Sequence, residues 1–260
     1  NGVDGIFALG SNGEFTVVSR QEKLEFTKKV VEYVNHRVPV YAGPGACSTF
    51  ETIEIAKEME RIGVDALSVL APYFVGLSEA ELVAHFKAVA QSVSIPVILY
   101  NIPRMTGNNI TKAVFEQLAG IPNIVGIKDS SRDISTLSGY LDVADKQGLS
   151  VLIGSDSIIA QGYRMGAHGA IAGMSNLIPA VMVKLFKALE DGDAAQIDAL
   201  QKEVSYLSEK TKHATMPVVL KRALERSGIA QAGPARLPVL EADHALDQEI
   251  DAVLDHFNLI

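Results

Sequence analysis

Between residues 3 and 190 the chain repeats one pattern seven times: a short apolar run, a turn rich in small and polar residues, then a stretch with helical spacing. The apolar runs are Val3–Leu9, Val38–Ala42, Ala66–Leu70, Val97–Tyr100, Ile124–Lys128, Val151–Ile153 and Ala170–Ala172. The helical stretches are Ser19–Val34, Thr49–Ile62, Ser78–Ser92, Thr111–Ala119, Ile134–Lys146, a segment ending at Met165, and Pro179–Glu190. Ser19 with Glu22 has capping-box spacing, and Ser78 stands where it would cap the third helix. Alternation this regular implies a parallel sheet with right-handed crossovers, because parallel neighbours cannot be joined by a hairpin.

Seven units are awkward for an open sheet and one short of a closed ring. The chain also opens abruptly, with Asn1-Gly-Val-Asp-Gly-Ile-Phe leading straight into the first apolar run. The expected fold is therefore α/β, a (β/α)8 TIM barrel whose first strand and helix lie ahead of Asn1. A barrel without its first strand would have two open edges and could not close. A doubly wound sheet is disfavoured, since no Gly-x-Gly-x-x-Gly follows an early strand. Three more helices are expected, over Ala194–Lys212, Met216–Arg226 and Asp243–Asn258, with Pro217 in a first turn and Gly228 as a stop. The expected division is a barrel over residues 1–190 and a C-terminal helical extension over 191–260.

In such a barrel the active site is built at the C-terminal ends of the strands. The chemically distinctive residues fall there: Ser11, Asn12, Tyr73, Tyr100, Arg104, Lys128, Ser130, Gly154, Asp156, Ser175 and Asn176. The turns at the other end, such as Asn35-His-Arg37, look ordinary, and that asymmetry favours an enzyme over a scaffold. Lys128 ends an apolar run, where an ammonium is costly and tends to find an anion or lose its proton. A neutral amine is what attack on a ketone requires; the rival reading is a strand-end lysine that reaches solvent or an ion pair. Gly10-Ser-Asn-Gly13 fits either a backbone cradle for a carboxylate or a plain tight turn. Tyr100 fits either a proton shuttle or an amphipathic lid on the core, and Arg104 either a carboxylate clamp or a solvated charge.

Other chemistries find less support. The six histidines are scattered with no shared helix face, so no metal is expected, and Gly-x-Ser-x-Gly and P-loop motifs are absent. His168 is expected to pack or cap. A single cysteine, Cys47, allows no internal disulfide, lacks an evident base, and fits a reducing compartment. The net charge is −8 without a basic run, which argues against nucleic acid and anionic membrane as partners. No apolar stretch approaches the roughly 20 residues of a membrane span, and a cytoplasmic protein is expected.

Taken together, Gly10-Ser-Asn-Gly-Glu14, Tyr100-Asn-Ile-Pro103 with Thr106-Gly107, Gly126-Ile-Lys-Asp129, and Gly154-Ser-Asp156 followed by Gly166-Ala-His-Gly-Ala-Ile171 resemble the dihydrodipicolinate synthase / N-acetylneuraminate lyase family. The likeness runs along essentially the whole chain. It implies a cofactor-independent class I lyase in which Lys128 forms a Schiff base with pyruvate or another 2-oxo acid, and a C–C bond is made to or broken from an aldehyde. It further implies that Tyr100 passes protons, that Ser11 is the relay hydroxyl and holds the 2-oxo acid carboxylate with the amide of Asn12, and that the backbones of Gly154 and Ile171 line the pyruvate site. Tyr73 and Arg104 are expected on the substrate side, and the implied assembly is a homotetramer, a dimer of dimers. Two positions depart from the synthases of this family. Phe74 stands where they carry a second tyrosine lent across the dimer, and Met105 where they carry an arginine, with Arg104 one place earlier. The expected activity is accordingly a 2-oxo acid aldolase, such as one acting on 4-hydroxy-2-oxoglutarate or a 2-keto-3-deoxy sugar acid. The synthase reaction of pyruvate with aspartate semialdehyde in lysine biosynthesis comes second and N-acetylneuraminate cleavage third, with a non-catalytic ligand-binding barrel as the rival of another class.

Overall fold

A computed structural model describes residues 1–260. Seven parallel strands form one curled sheet in sequence order: β1 (Ile6–Ala8), β2 (Val40–Ala42), β3 (Ala66–Leu70), β4 (Val97–Asn101), β5 (Ile124–Asp129), β6 (Ser150–Ile153) and β7 (Gly169–Ala170). Between them run α1 (Arg20–Val34), α2 (Thr49–Ile62), α3 (Glu79–Gln91), α4 (Pro103–Thr106), α5 (Lys112–Leu118), α6 (Ile134–Gln147) and α7 (Ile159–Arg164). After β7 come α8 (Pro179–Asp191), α9 (Ala194–Lys210), α10 (Val218–Arg226) and α11 (His244–His256). By internal contacts the chain forms two compact units. One, residues 4–10 and 18–171, holds the sheet with α1–α7; the other, residues 1–3, 11–17 and 172–260, holds α8–α11.

In the sheet unit the expected caps are present. Ser19 and Glu22 close a capping box on α1 and Ser78, with Glu81, closes another on α3; Ser48 caps α2, which was not expected from the sequence. Register assigns the two faces of the sheet. Phe7, Tyr41, Ser68, Tyr100, Lys128 and Leu152 share one face. Leu67, Val69, Leu99, Ile127, Val151 and Ile153 share the other, all of them buried. Removing that apolar set from water supplies the main driving force for docking the helices. Gly126 on β5 is a steric necessity, because a β-carbon there would lie 2.2 Å from the carbonyl oxygen of Ser150.

In the helical unit Arg222 of α10 forks onto Asp247 of α11 with two bonds of 2.7 Å, and Arg226 adds Asp251. Residues 11–17 join this unit through Glu14. Lys221 Nζ donates to its Oε2 at 2.8 Å and the Arg236 amide to its Oε1 at 2.7 Å. Burial alone would raise the Glu14 carboxyl, but the Arg236 amide and the Lys221 ammonium outweigh it and hold the group below its usual range. No helix is long and apolar enough to cross a membrane.

Several boundaries differ from expectation. The first strand shortens to Ile6–Ala8 because Leu9 takes φ +60°, which ends extended backbone. α10 starts at Val218, with Pro217 at the cap rather than in the first turn. The helix expected before Met165 is split into a 3-10 turn at Asp156–Ile158 and the six residues of α7. His168 does cap: its Nδ1 accepts the Val151 N–H at 3.3 Å.

His85 gives the sheet unit an acid-sensitive joint. It is buried on α3, pairs through Nδ1 with Thr49 at 2.9 Å, and has no partner for Nε2. Burial depresses it to about 4. The unfolded chain therefore binds this proton more readily than the native one between pH 6.5 and pH 4, so the contribution is intact above that window and is lost as pH falls through it. The expected loss between pH 7 and pH 4 is about 3 kcal/mol. Urea denaturation of wild type and His85→Leu at both pH values checks it; equal acid losses in the two proteins would count against it.

Candidate active site

Lys128 sits at the end of β5 and is 5% exposed. Its Nζ lies 3.9 Å from the ring centre of Tyr100 and 5.0 Å from that of Phe7. Those two rings meet edge-on at 6.2 Å. The amine makes no ion pair and no hydrogen bond, so the alternatives of a solvated or neutralised lysine do not hold. The chain has a second buried lysine that sequence reasoning missed, Lys23 on α1. Its Nζ donates to the carbonyl of Gly45 at 3.0 Å, and burial lowers its proton affinity.

The pairing of Lys128 with Tyr100 depends on an irregularity. Val97 pairs with Ile124, but Ile98 pairs with Gly126, so β5 gains one residue on β4. Had the first register continued, Tyr100 would stand opposite Ile127 and point to the other face. The shift instead sets Tyr100 opposite Lys128 and Asn101 opposite Asp129. On the far face Asn101 Nδ2 donates to Asp129 Oδ1 at 3.1 Å and to Asn109 Oδ1 at 3.0 Å, while Asn101 Oδ1 accepts the Ile110 N–H at 2.9 Å. Asp129 also accepts from the Ser131 amide at 3.0 Å and hydroxyl at 2.7 Å. Tyr140 of α6 donates to the Ile110 carbonyl. Burial raises the Asp129 carboxyl, partly opposed by the bonds from Ser131 and Asn101.

Gly154, just beyond β6, forms the floor beside the lysine. A β-carbon there would meet Ser130 Oγ at 2.1 Å and Lys128 Cε at 2.7 Å. The Ser130 hydroxyl is buried without a hydrogen-bond partner. The Gly154 N–H is engaged by the Asp129 carbonyl at 2.7 Å, and the Ile171 N–H by the Ile153 carbonyl at 2.9 Å. What these two residues can offer a ligand is therefore their carbonyl oxygens.

The remaining expected residues are spread more widely. Tyr73 is half-buried in the loop after β3, its hydroxyl pushed up to about 12 by burial and by the neighbouring Cys47 and Glu51, so it stays a proton donor at neutral pH. Asn108 pins that loop, donating to the carbonyls of Pro72 and Val75 at 2.8 Å each and accepting the Leu77 N–H at 2.8 Å. Phe74 beside Tyr73 is 94% exposed with φ +81°. Arg104 and Met105 are exposed on α4. Ser11 and Asn12 occupy a 3-10 turn that folds with the helical unit, whereas Lys128, Tyr100, Gly154, Ile171, Tyr73 and Arg104 belong to the sheet unit. Asn101, Asp129 and Asn108 were missed from sequence. The available signal was a polar residue directly after each reactive one at two strand ends, Tyr100-Asn101 and Lys128-Asp129.

Comparison with known proteins covers the chain almost end to end. The sequence profile described as the dihydrodipicolinate synthetase family matches residues 1–257. A 4-hydroxy-tetrahydrodipicolinate synthase of Methanoculleus marisnigri is 35% identical over 253 residues, 97% of this chain and 86% of that protein. The dihydrodipicolinate synthase of Acinetobacter baumannii, solved with pyruvate, superposes with TM-score 0.94 at 30% identity, covering 100% of this chain and 88% of that one. The prophage protein YagE of E. coli K12, also solved with pyruvate, gives TM-score 0.94 at 31% identity with the same coverage.

Proposed function

The chain belongs to the dihydrodipicolinate synthetase family, and from that membership we propose that it makes or breaks a carbon–carbon bond between pyruvate and an aldehyde through a Schiff base on Lys128. The observation that carries the reading is the state of that amine: buried, flanked by two aromatic rings and engaged by no carboxylate. The amine adds to the keto carbon of pyruvate, and the carbinolamine loses water to give an imine. The imine nitrogen draws electrons from the methyl carbon, which sheds a proton to become an enamine. The enamine attacks the aldehyde carbon; the reverse sequence is cleavage. Each step moves a proton, and the Tyr100 hydroxyl belongs to the ionisable side chain paired opposite Lys128 on the neighbouring strand. The carbonyl oxygens of Gly154 and Ile171 are suited to orient groups on the adduct, and Tyr73 and Arg104 to meet the aldehyde partner.

For that partner we favour a 2-oxo acid aldolase reaction, of the kind acting on 4-hydroxy-2-oxoglutarate or a 2-keto-3-deoxy sugar acid. Phe74 and Met105 support it, since neither can relay a proton or grip a carboxylate as the synthases' residues do. The synthase reaction, pyruvate with aspartate semialdehyde, is the second reading and is supported by the names of the M. marisnigri and A. baumannii relatives. Exposed Phe50, Phe74, Val75 and Met105 suit burial by further copies of the chain, in keeping with a tetramer.

The test is borohydride reduction in the presence of pyruvate, followed by mass spectrometry of the fragments. A reduced pyruvyl adduct on Lys128 is expected, and its absence overturns the reading. A panel of 2-oxo acids assayed for pyruvate release, beside synthesis from aspartate semialdehyde, then separates the two substrate readings. An adduct with no turnover on either arm indicates a ligand-binding protein.

A further inference from the structure

We propose that the Asn101–Asp129 hydrogen bond is a positioning device. It sits behind the sheet, touches no substrate, and selects the one strand register that sets Tyr100 against Lys128. The inference rests on the reading of Lys128 and Tyr100 given above.

Two registers of β4 on β5 compete, one residue apart. The first is the one Val97 and Ile124 begin, and it would turn the Tyr100 side chain away from the lysine face. The second, adopted from Ile98 onward, brings Tyr100 and Lys128 together. Backbone hydrogen bonding is similar in both, so side chains must decide. On the lysine face the contacts of the Tyr100 ring with the amine and with Phe7 distinguish them. On the opposite face the second register alone brings the Asn101 amide against the Asp129 carboxylate, at 3.1 Å. Both side chains are essentially inaccessible to water, at 0% and 1% exposure. Losing a buried hydrogen bond costs about 1–3 kcal/mol, and more when one partner is charged, so the slipped register is penalised by the loss of this bond.

The network around the pair makes it rigid. Asn101 cannot rotate without losing Asn109 and the Ile110 amide, and Tyr140 fixes Ile110 from α6. Asp129 is held by both donors of Ser131. A second consequence follows from strand geometry. Lys128 and Asp129 are adjacent in sequence, so their side chains leave opposite faces, and the bond to Asn101 holds the Asp129 carboxylate on the face away from the amine.

The experiment follows pyruvate adduct formation on the full chain, trapped with borohydride at timed intervals. The end-point counts competent sites and the rate constant reports how well each is arranged. Asp129→Ala is expected to reach the wild-type end-point per folded protein at a rate on the order of 10- to 100-fold lower, since small misplacements of reacting groups cost that much. Asp129→Asn keeps an acceptor for Asn101 and is expected to restore the rate to within about threefold. If Asp129→Ala does not fold, Asp129→Ser, whose hydroxyl stops short of Asn101, is read the same way. A lower end-point with an unchanged rate means a structural role only and overturns the proposal. So does an Asp129→Asn rate as slow as that of Asp129→Ala. Absence of any adduct in wild type would instead remove the Lys128 reading, and the proposal with it.

Discussion

Lys128→Ala is expected to fold, to gain no mass from pyruvate and borohydride, and to lose turnover by on the order of 10⁴-fold or more. Nothing else on the lysine face of the sheet offers a primary amine, and the other buried lysine, Lys23, is committed to the Gly45 carbonyl. Deleting a nucleophile removes the covalent route altogether, whereas misplacing it only slows the route. Lys128→Arg should fail as completely, because a guanidinium is not a nucleophile at neutral pH. Folding should survive, since Lys128 forms no ion pair whose loss would strand a buried charge. Melting temperature, adduct mass and turnover measured on one preparation check all three parts. An adduct that persists in Lys128→Ala would move the chemistry to another amine.

The second large effect is expected from Tyr100→Phe. This change removes one oxygen and keeps the ring on which the lysine and Phe7 rest. Proton transfer by a positioned side chain is worth about 10²–10⁴ in rate, and turnover is expected to fall within that range. The adduct should still reach its full end-point, only more slowly, and pyruvate KM should change little. That split separates a proton carrier from a binding group. Wild-type turnover in Tyr100→Phe would dismiss the hydroxyl from the mechanism.

Much of this was written locally in the chain. Ser19 with Glu22 and Ser78 with Glu81 announce two helix starts, and α2 has the bounds its spacing foretold. The regular alternation of runs and turns implied the parallel sheet, whereas the apolar lead-in to Lys128 left burial and solvent exposure as rival readings that the structure decides for burial. What stayed hidden depends on partners distant in sequence. Lys23 lies among polar neighbours on α1 and reads as solvent-facing until the Gly45 carbonyl, 22 residues on, receives it. Asn101 and Asp129 acquire meaning only once the register is known, and no periodicity reveals a one-residue shift. Residues 11–17 fold with the C-terminal helices because Glu14 pairs with Lys221, 207 residues later. A turn signal at Gly10-Ser-Asn-Gly13 contains none of that.

Gly126 and Gly154 place hydrogen atoms where any side chain would strike β6 or the lysine stem. Mutation therefore has almost no tolerated step at the floor beside Lys128, while Phe74, Arg104 and Met105 are exposed within the single chain and meet no such steric limit. In such a chain reactivity and selectivity are inherited separately. On the proposed function, a substitution at the rim would change the choice of aldehyde and leave the covalent step beneath it intact.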